Sequence, residues 1–327
     1  MRKTTELLTG KLIVCDLGSS NSNGWRSLGG IRCAATFVEV DAVSGSSTSS
    51  RQWHKHIALR TAVGGRSEAR PFYRRRYAPC SSFLKADPKL IEGYGLDSFY
   101  HTEEVLQLKC DTLPAVLESR GIPWVDFLKT DLEGLDYDVL VASERLLNKT
   151  LVLQSELRFQ PFYEGEPPFS TVVDYLAGRG FELINLSPET WKYRTKHSAY
   201  MRDGRLVWAD TIFFLRPELV IARFGLDAGI AFVKQVVLAM ALGLNNYAEY
   251  IYEQHKSLIP ESVRAELNDA LRPSASPEML LRIAGNLMAR FRGGSLALYC
   301  ARQLLKKMVS ALTAHRQLPH VAGPYLE

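Results

Sequence analysis

The sequence predicts an α/β fold, with a mostly parallel sheet and helices on both faces. Short apolar runs of strand length recur at 12–16, 36–40, 57–62, 125–130, 151–157, 181–186 and 210–215, with helical or irregular segments between them. The run at 125–130 also passes through a short turn into 135–147, whose apolar residues have helical spacing, making a strand–turn–helix unit. At roughly 150 residues per domain, a chain of 327 residues suits two domains, or one α/β domain with a large appendage. A hydrophobic content of 46% supplies a core, and 23% charged residues suit a hydrated surface.

The first strand ends at Asp16 and is followed by Leu17, Gly18 and a Ser/Asn/Gly loop that reaches Gly24. Gly18 has no side chain, so the backbone there can approach a ligand. Asp16 can accept hydrogen bonds from loop N–H groups, from water or from a ligand amine. A plain Gly/Asn turn accounts for a short D-x-G equally well. The second strand ends in Glu39 and Asp41, which stand two apart and so point to one side. A carboxylate at a strand end can accept the hydroxyl protons of a ribose. Surface strand ends also carry such acids, but their place one strand after the glycine loop favours the ribose role. That role disfavours a 2′-phosphate and does not decide between NAD and S-adenosylmethionine.

Residues 63–124 read as the longest irregular region, punctuated by Gly64, Gly65, Pro71, Pro79, Pro88, Gly93 and Gly95. A long insertion of this kind often covers or forms part of a site. It holds the densest basic patch, Arg70 with Arg74, Arg75 and Arg76, flanked by Tyr73 and Tyr77. The patch can face an anionic substrate or a membrane, although a solvated positive face is the more ordinary reading. Net charge is +5; residues 218–327 hold 12 Lys or Arg against 9 Asp or Glu, hence +3, leaving +2 on the rest. The excess is spread out and no recognition module accompanies it, so nucleic acid is not strongly implied. His101 is a candidate base by its near-neutral pKa, yet a lone loop histidine is more often a surface residue.

The segment Lys129-Thr-Asp131-Leu-Glu133-Gly134 lies at the C-terminal end of the fourth main strand, the edge where open parallel sheets bind ligands. Lys129 and Asp131 share a face and Thr130 is opposite. Two acids and a lysine suit proton abstraction or orientation of a hydroxyl nucleophile, and the acids can also bind a divalent ion through oxygen. Helix capping with a salt bridge is the structural alternative. Glu156, after the next strand, reaches the same rim or pairs with Arg158. The histidines lack metal-ligand spacing, and neither G-x-S-x-G nor a P-loop lysine motif occurs.

Residues 181–186 and 206–215 read as two late strands with no long helix between them, an antiparallel edge pair. After Arg216-Pro217 helical periodicity dominates through 314, broken at Pro260, Pro273 and Pro277, with an apolar stripe at Leu298, Leu305, Val309 and Leu312 interrupted by Arg302. Residues 226–244 are apolar, but Asp227, Lys234 and Gln235 favour a buried or surface-seated helix over a spanning one. Ser44 to Ser50 reads as a surface loop, and 319–327 as a fraying end. Cysteines 15, 33, 80, 110 and 300 form no C-x-x-C pair and no even disulfide framework, and the first residues lack an apolar signal region. A cytoplasmic protein with reduced thiols is expected.

Together these segments resemble the FkbM family of S-adenosylmethionine-dependent methyltransferases. The resemblance rests on Val14-Cys-Asp-Leu-Gly-Ser, Phe37-Val-Glu-Val-Asp, Ala62-Val-Gly-Gly, Cys80-Ser-Ser-Phe-Leu and Val125-Asp-Phe-Leu-Lys-Thr-Asp-Leu-Glu-Gly. It continues through Phe162-Tyr-Glu-Gly-Glu-Pro-Pro-Phe-Ser, Gly180-Phe-Glu-Leu and Leu206-Val-Trp-Ala-Asp. It implies a class I methyltransferase, Rossmann-like sheet of seven mostly parallel strands, the last antiparallel, within a domain at 1–217. Residues 218–327 then form a C-terminal helical extension with no counterpart in the core pattern, able to dimerise, grip a substrate carrier or cap the sheet. The implied activity is O-methylation of a hydroxyl on a sugar, glycan or related small molecule, with S-adenosyl-L-methionine as cofactor and no metal required. The implied cofactor residues are Asp16, Gly18, Ser19, Glu39 with its neighbour Asp41, and Ala62. The implied catalytic residues are Lys129, Asp131 and Glu133, with Glu156 at the same rim. Two departures stand out: Gly24 lies six positions beyond Gly18, which stretches the glycine loop, and Val40 replaces the usual Pro after the ribose acid. An NAD-dependent oxidoreductase would show G-x-G-x-x-G and a hydride-transfer partner, and shows neither. A non-catalytic nucleotide-binding or scaffold protein draws support from the stretched loop and the tail.

Overall fold

Seven strands line up side by side in this computed structural model, which describes residues 1–18, 28, 31–42, 52–194 and 204–272. In chain order the strands are β1 (Leu12–Leu17), β2 (Ala35–Asp41), β3 (Lys55–Arg60), β4 (Ala62–Val63), β5 (Glu68–Arg75), β6 (Thr102–Asp111), β7 (Phe127–Thr130), β8 (Val152–Arg158), β9 (Phe181–Trp191) and β10 (Arg205–Leu215). The main sheet runs β3-β2-β1-β7-β8-β10-β9. Pairs from β3 to β8 are parallel, whereas β10 is antiparallel to both β8 and β9. The order reverses between β1 and β7, so the ligand crevice of an open sheet falls at their C-terminal ends.

The middle strands are apolar because both of their faces are covered. Leu12, Val14, Cys15 and Leu17 of β1, Phe127 and Leu128 of β7, and Val152 and Leu153 of β8 are all fully buried. The expected strand at 57–62 ends at Arg60, and Ala62–Val63 turns into a second sheet. The expected helix at 135–147 divides at Ser143 into α5 (Asp136–Ala142) and α6 (Glu144–Leu147). Earlier in the chain lie α1 (Arg2–Leu8), α2 (Pro88–Tyr94), α3 (Asp97–Tyr100) and α4 (Leu113–Glu118), and α7 (Phe169–Gly178) precedes β9.

The irregular reading of 63–124 is corrected by the structure. This region builds a three-stranded sheet, β4-β6-β5, together with α2, α3 and α4. Its strands expose long charged side chains on one face, which obscures the alternation. Pro71 is tolerated because β5 is the edge strand.

After β10 come α8 (Pro217–Phe224), α9 (Ala228–Ala241), α10 (Asn245–His255) and α11 (Glu261–Leu271). The run Pro217–Ala241 is long and apolar enough to cross a membrane by composition, but α9 is a core helix, buried on every side from Ala231 to Ala239. Its two polar residues explain themselves: Lys234 Nζ lies 2.7 Å from Asp126 Oδ1, and Gln235 Nε2 donates to the carbonyl of Leu215 at 2.8 Å. Asp126 Oδ2 in turn accepts the backbone N–H of Ile13 in β1. Glu266 of α11 accepts the N–H groups of Lys3 and Thr4 at the start of α1, which pull its carboxyl down to about 2. Met1–Leu271 is thus one packed unit, whose core runs past residue 217. The expected loops around Gly24 and Ser44–Ser50, and the helical stripe at 298–312, lie outside the described residues.

Candidate active site

Parallel pairing of β1 with β7 sets Asp16 beside Lys129. Lys129 Nζ stands 3.4 Å from Asp16 Oδ1 and 3.2 Å from Asp131 Oδ2. Burial works against the ammonium charge, but Asp16 and Asp131 outweigh it and raise the lysine pKa. The lysine therefore stays charged and ties the end of β1 to the turn after β7. Thr130 points the other way, as strand alternation requires, and shares a 2.8 Å hydrogen bond with Ser155 in the core.

Gly18 brings the same two segments into backbone contact. Its φ is +77°, and a Cβ there would lie 2.0 Å from the carbonyl oxygen of Asp131. Only glycine permits both the left-handed conformation and that approach. Its N–H donates to the carbonyl of Val40 at the end of β2. Three strand ends thus converge on one residue.

Glu133 also has a left-handed backbone, φ +51°, without being glycine. The surroundings over-determine it, as strained functional residues require. Its Oε2 accepts from Arg158 Nη2 and from the Tyr163 hydroxyl, each at 2.6 Å, and its carbonyl accepts from Ser82 Oγ at 2.7 Å. Gly134 follows at φ +93°, where a Cβ would meet the Tyr163 ring at 3.0 Å.

Arg158, at the end of β8, is the buried hub of this acid cluster. Its guanidinium pairs with Glu133 at 2.6 Å, Glu156 at 2.8 Å and Glu166 at 3.2 Å. One cation serves three partly buried carboxylates, and the protonated form of each is favoured accordingly. Burial pushes Glu133 up to about 7 against the pull of Arg158, and the charge of Asp131 adds to the rise. Burial likewise raises Asp136 to about 6, Glu156 well above the usual carboxylate range, and Glu166 and Asp210 in the same direction. Asp210 faces Glu156 across the β8–β10 ladder.

A cavity of about 460 Å³ opens beside these groups, with Gly18, Asp41, Ala62, Asp131 and Glu133 among its lining residues. Five of the sequence-predicted residues therefore share one space, and Asp16, Lys129 and Glu156 adjoin it through the contacts above. Glu39 sits apart from that lining: it is buried in β2 and hydrogen-bonds His56 Nε2 at 2.9 Å. Ser19 lies outside the described residues. His101 is exposed at the end of α3, where its carbonyl accepts the Arg76 N–H. Carboxylate oxygens of Asp131, Glu133 and Glu156 lie within 4.8 Å of one another, close enough to share a cation. Arg158 already supplies positive charge to two of the three. Sequence reasoning did not single out Tyr163, Ser82, Asp136 or Asp210, and treated Arg158 only as a partner for Glu156. Tyr163, Ser82 and Asp210 nevertheless stand inside the Phe162-Tyr, Cys80-Ser-Ser and Leu206–Asp210 motifs.

Residues 25–183 match the family model for the methyltransferase FkbM domain. A search of curated proteins finds no match. Among solved structures, two of a 16S rRNA (adenine(1408)-N(1))-methyltransferase from Catenulisporales acidiphilia, one of them a mutant, are 12% identical. They cover 65% of this chain and 90% of their own, at a TM-score of 0.27. An uncharacterised protein from Listeria monocytogenes serotype 4b is 8% identical, covers 94% of each chain and also has a TM-score of 0.27. Superpositions this loose carry no argument, so the strand order and the domain match stand on their own. The chain is a methyltransferase, similar over residues 25–183 to the FkbM domain.

Proposed function

We propose that this methyltransferase uses S-adenosyl-L-methionine to methylate a hydroxyl of a sugar, glycan or related small molecule. The observation that carries the reading is the contact between Gly18 and the Asp131 carbonyl at the reversal point of the sheet. It packs the end of β1 against the lysine-and-acids turn, and Gly18 and Asp131 both border the cavity. Gly18, Asp41 and the buried Ala62 line one cavity, and that set fits an adenosyl group with ribose hydroxyls. Bound S-adenosylmethionine supplies a methyl carbon made electrophilic by its sulfonium.

The chain's own residues do the rest. Asp131 borders the cavity and takes the proton of the acceptor hydroxyl. Lys129, charged and 3.2 Å from Asp131, stabilises negative charge developing on that oxygen. Glu133 and Glu156, fixed by Arg158, hold further hydroxyls of the acceptor. Much of the rate comes from positioning and from keeping water out of the cavity.

Titration calorimetry with S-adenosylmethionine tests the donor assignment; a well-folded protein that shows no binding supports the scaffold reading instead. Asp131→Asn tests the base. Removing a general base lowers turnover by about 10²- to 10⁴-fold, with cofactor affinity retained; unchanged turnover rejects the role.

A further inference from the structure

We infer that the acceptor carries an anionic group, which sits on the arginine wall of the cavity; this rests on the O-methyltransferase reading above. Arg74, Arg75 and Arg76, at the end of β5, all line the same cavity as Asp131 and Glu133. They come from the second sheet, not from the main-sheet edge that the adenosyl group would occupy.

Arg75 is 4% exposed. Its guanidinium donates to the carbonyls of Tyr100 and Leu84 and to Thr102 Oγ1, at 2.8, 3.0 and 3.2 Å. The rings of Tyr73, Tyr100 and Tyr163 surround it, each with its centroid at 5.8 Å. All these partners are neutral. Among the described residues it forms no ion pair with a carboxylate, and its Nε has no hydrogen-bond partner. A buried cation left this way is costly to the fold, and a negative ligand in the adjoining cavity offsets that cost.

Arg74 and Arg76 are exposed, and both lean on the carboxylate of Glu103, at 3.8 and 3.9 Å. Arg74 also holds Glu104 at 3.0 Å. Glu103 lines the cavity and shows the kind of group the two guanidiniums accept, a carboxylate bridging both. Its contacts are longer than a charge-assisted hydrogen bond, so a carboxylate or phosphate on the acceptor can displace it with shorter, bidentate pairing. The acids then receive a hydroxyl, and the arginines an anion of the same molecule.

The test uses protein saturated with S-adenosylhomocysteine and two sugar probes that differ by one carboxylate, p-nitrophenyl β-D-glucuronide and p-nitrophenyl β-D-glucoside. A charge-assisted pair is worth enough to make the glucuronide bind about tenfold tighter or more. The preference should shrink in high salt and shrink severalfold in an Arg74→Gln/Arg76→Gln variant, which keeps Arg75. Equal affinities, no saturable glucuronide binding, or a preference undiminished in the variant overturns the inference while leaving cofactor binding, and so the methyltransferase reading, intact. A variant that loses affinity for S-adenosylmethionine but not for its decarboxylated form also overturns it, because the arginines would then serve the cofactor's own carboxylate. So does salt-sensitive binding to phosphatidylglycerol vesicles with neither sugar bound.

Discussion

Gly18 and Glu133 show how backbone conformation places the chemistry. Both are left-handed, one because no side chain fits and the other because three hydrogen bonds hold it. Gly18→Ala should lower stability by more than about 1 kcal/mol and should also weaken S-adenosylmethionine binding; urea unfolding and calorimetry check the two effects separately. Glu133 carries a pH prediction whose sign follows from its raised pKa. Stability from its protonated form is fully present below the ordinary value of 4.5 and is lost as pH climbs through about 7. The urea midpoint should therefore fall across that window, and Glu133→Gln should flatten the fall; an identical profile in both proteins would refute the assignment. At this scale the sequence told part of the story. The D-x-G and K-x-D-x-E-G residues were legible because each sits next to its partner in a short motif. Arg158 as a hub was not, because Glu133 lies 25 residues away and only the β7–β8 pairing brings the two together. Strand alternation placed Glu39 and Asp41 on one side, but it could not show that His56 of β3 meets Glu39 while Asp41 lines the cavity.

Elements were legible where burial was two-sided. The strands β1, β2, β7 and β8 announce themselves as apolar runs because helices cover both faces. β6 hides its signal: Leu106, Leu108 and Cys110 alternate inward, but Glu103, Glu104, Gln107 and Lys109 dominate the composition. The late helices show the opposite case. Apolar composition interrupted by polar residues favoured a buried or surface-seated helix over a spanning one; α9 is buried, and the ion pair of Lys234 with Asp126 links it to the β1–β7 end of the sheet through Ile13. Removing one partner of a buried pair costs about 3–5 kcal/mol, so Lys234→Met should lower the urea-unfolding free energy on that scale. A loss below about 1 kcal/mol, the size of an exposed pair, would show that the pairing does not hold α9 in place.

At the scale of the whole molecule, the reversal of strand order between β1 and β7 decides where chemistry can occur. It opens one crevice at the C-terminal ends of the strands and delivers to it the β1 loop, the end of β2 and the turn after β7. The second sheet adds a wall to that cavity, with positive charge facing a cluster rich in carboxylates. A crystal structure with S-adenosylhomocysteine tests this arrangement most directly. The account predicts the ribose at Asp41, the adenosyl group against Gly18 and Ala62, and the sulfur directed at the Asp131–Lys129 pair. Ligand density on another face of the sheet, with Asp131 and Lys129 away from the sulfur, would contradict it.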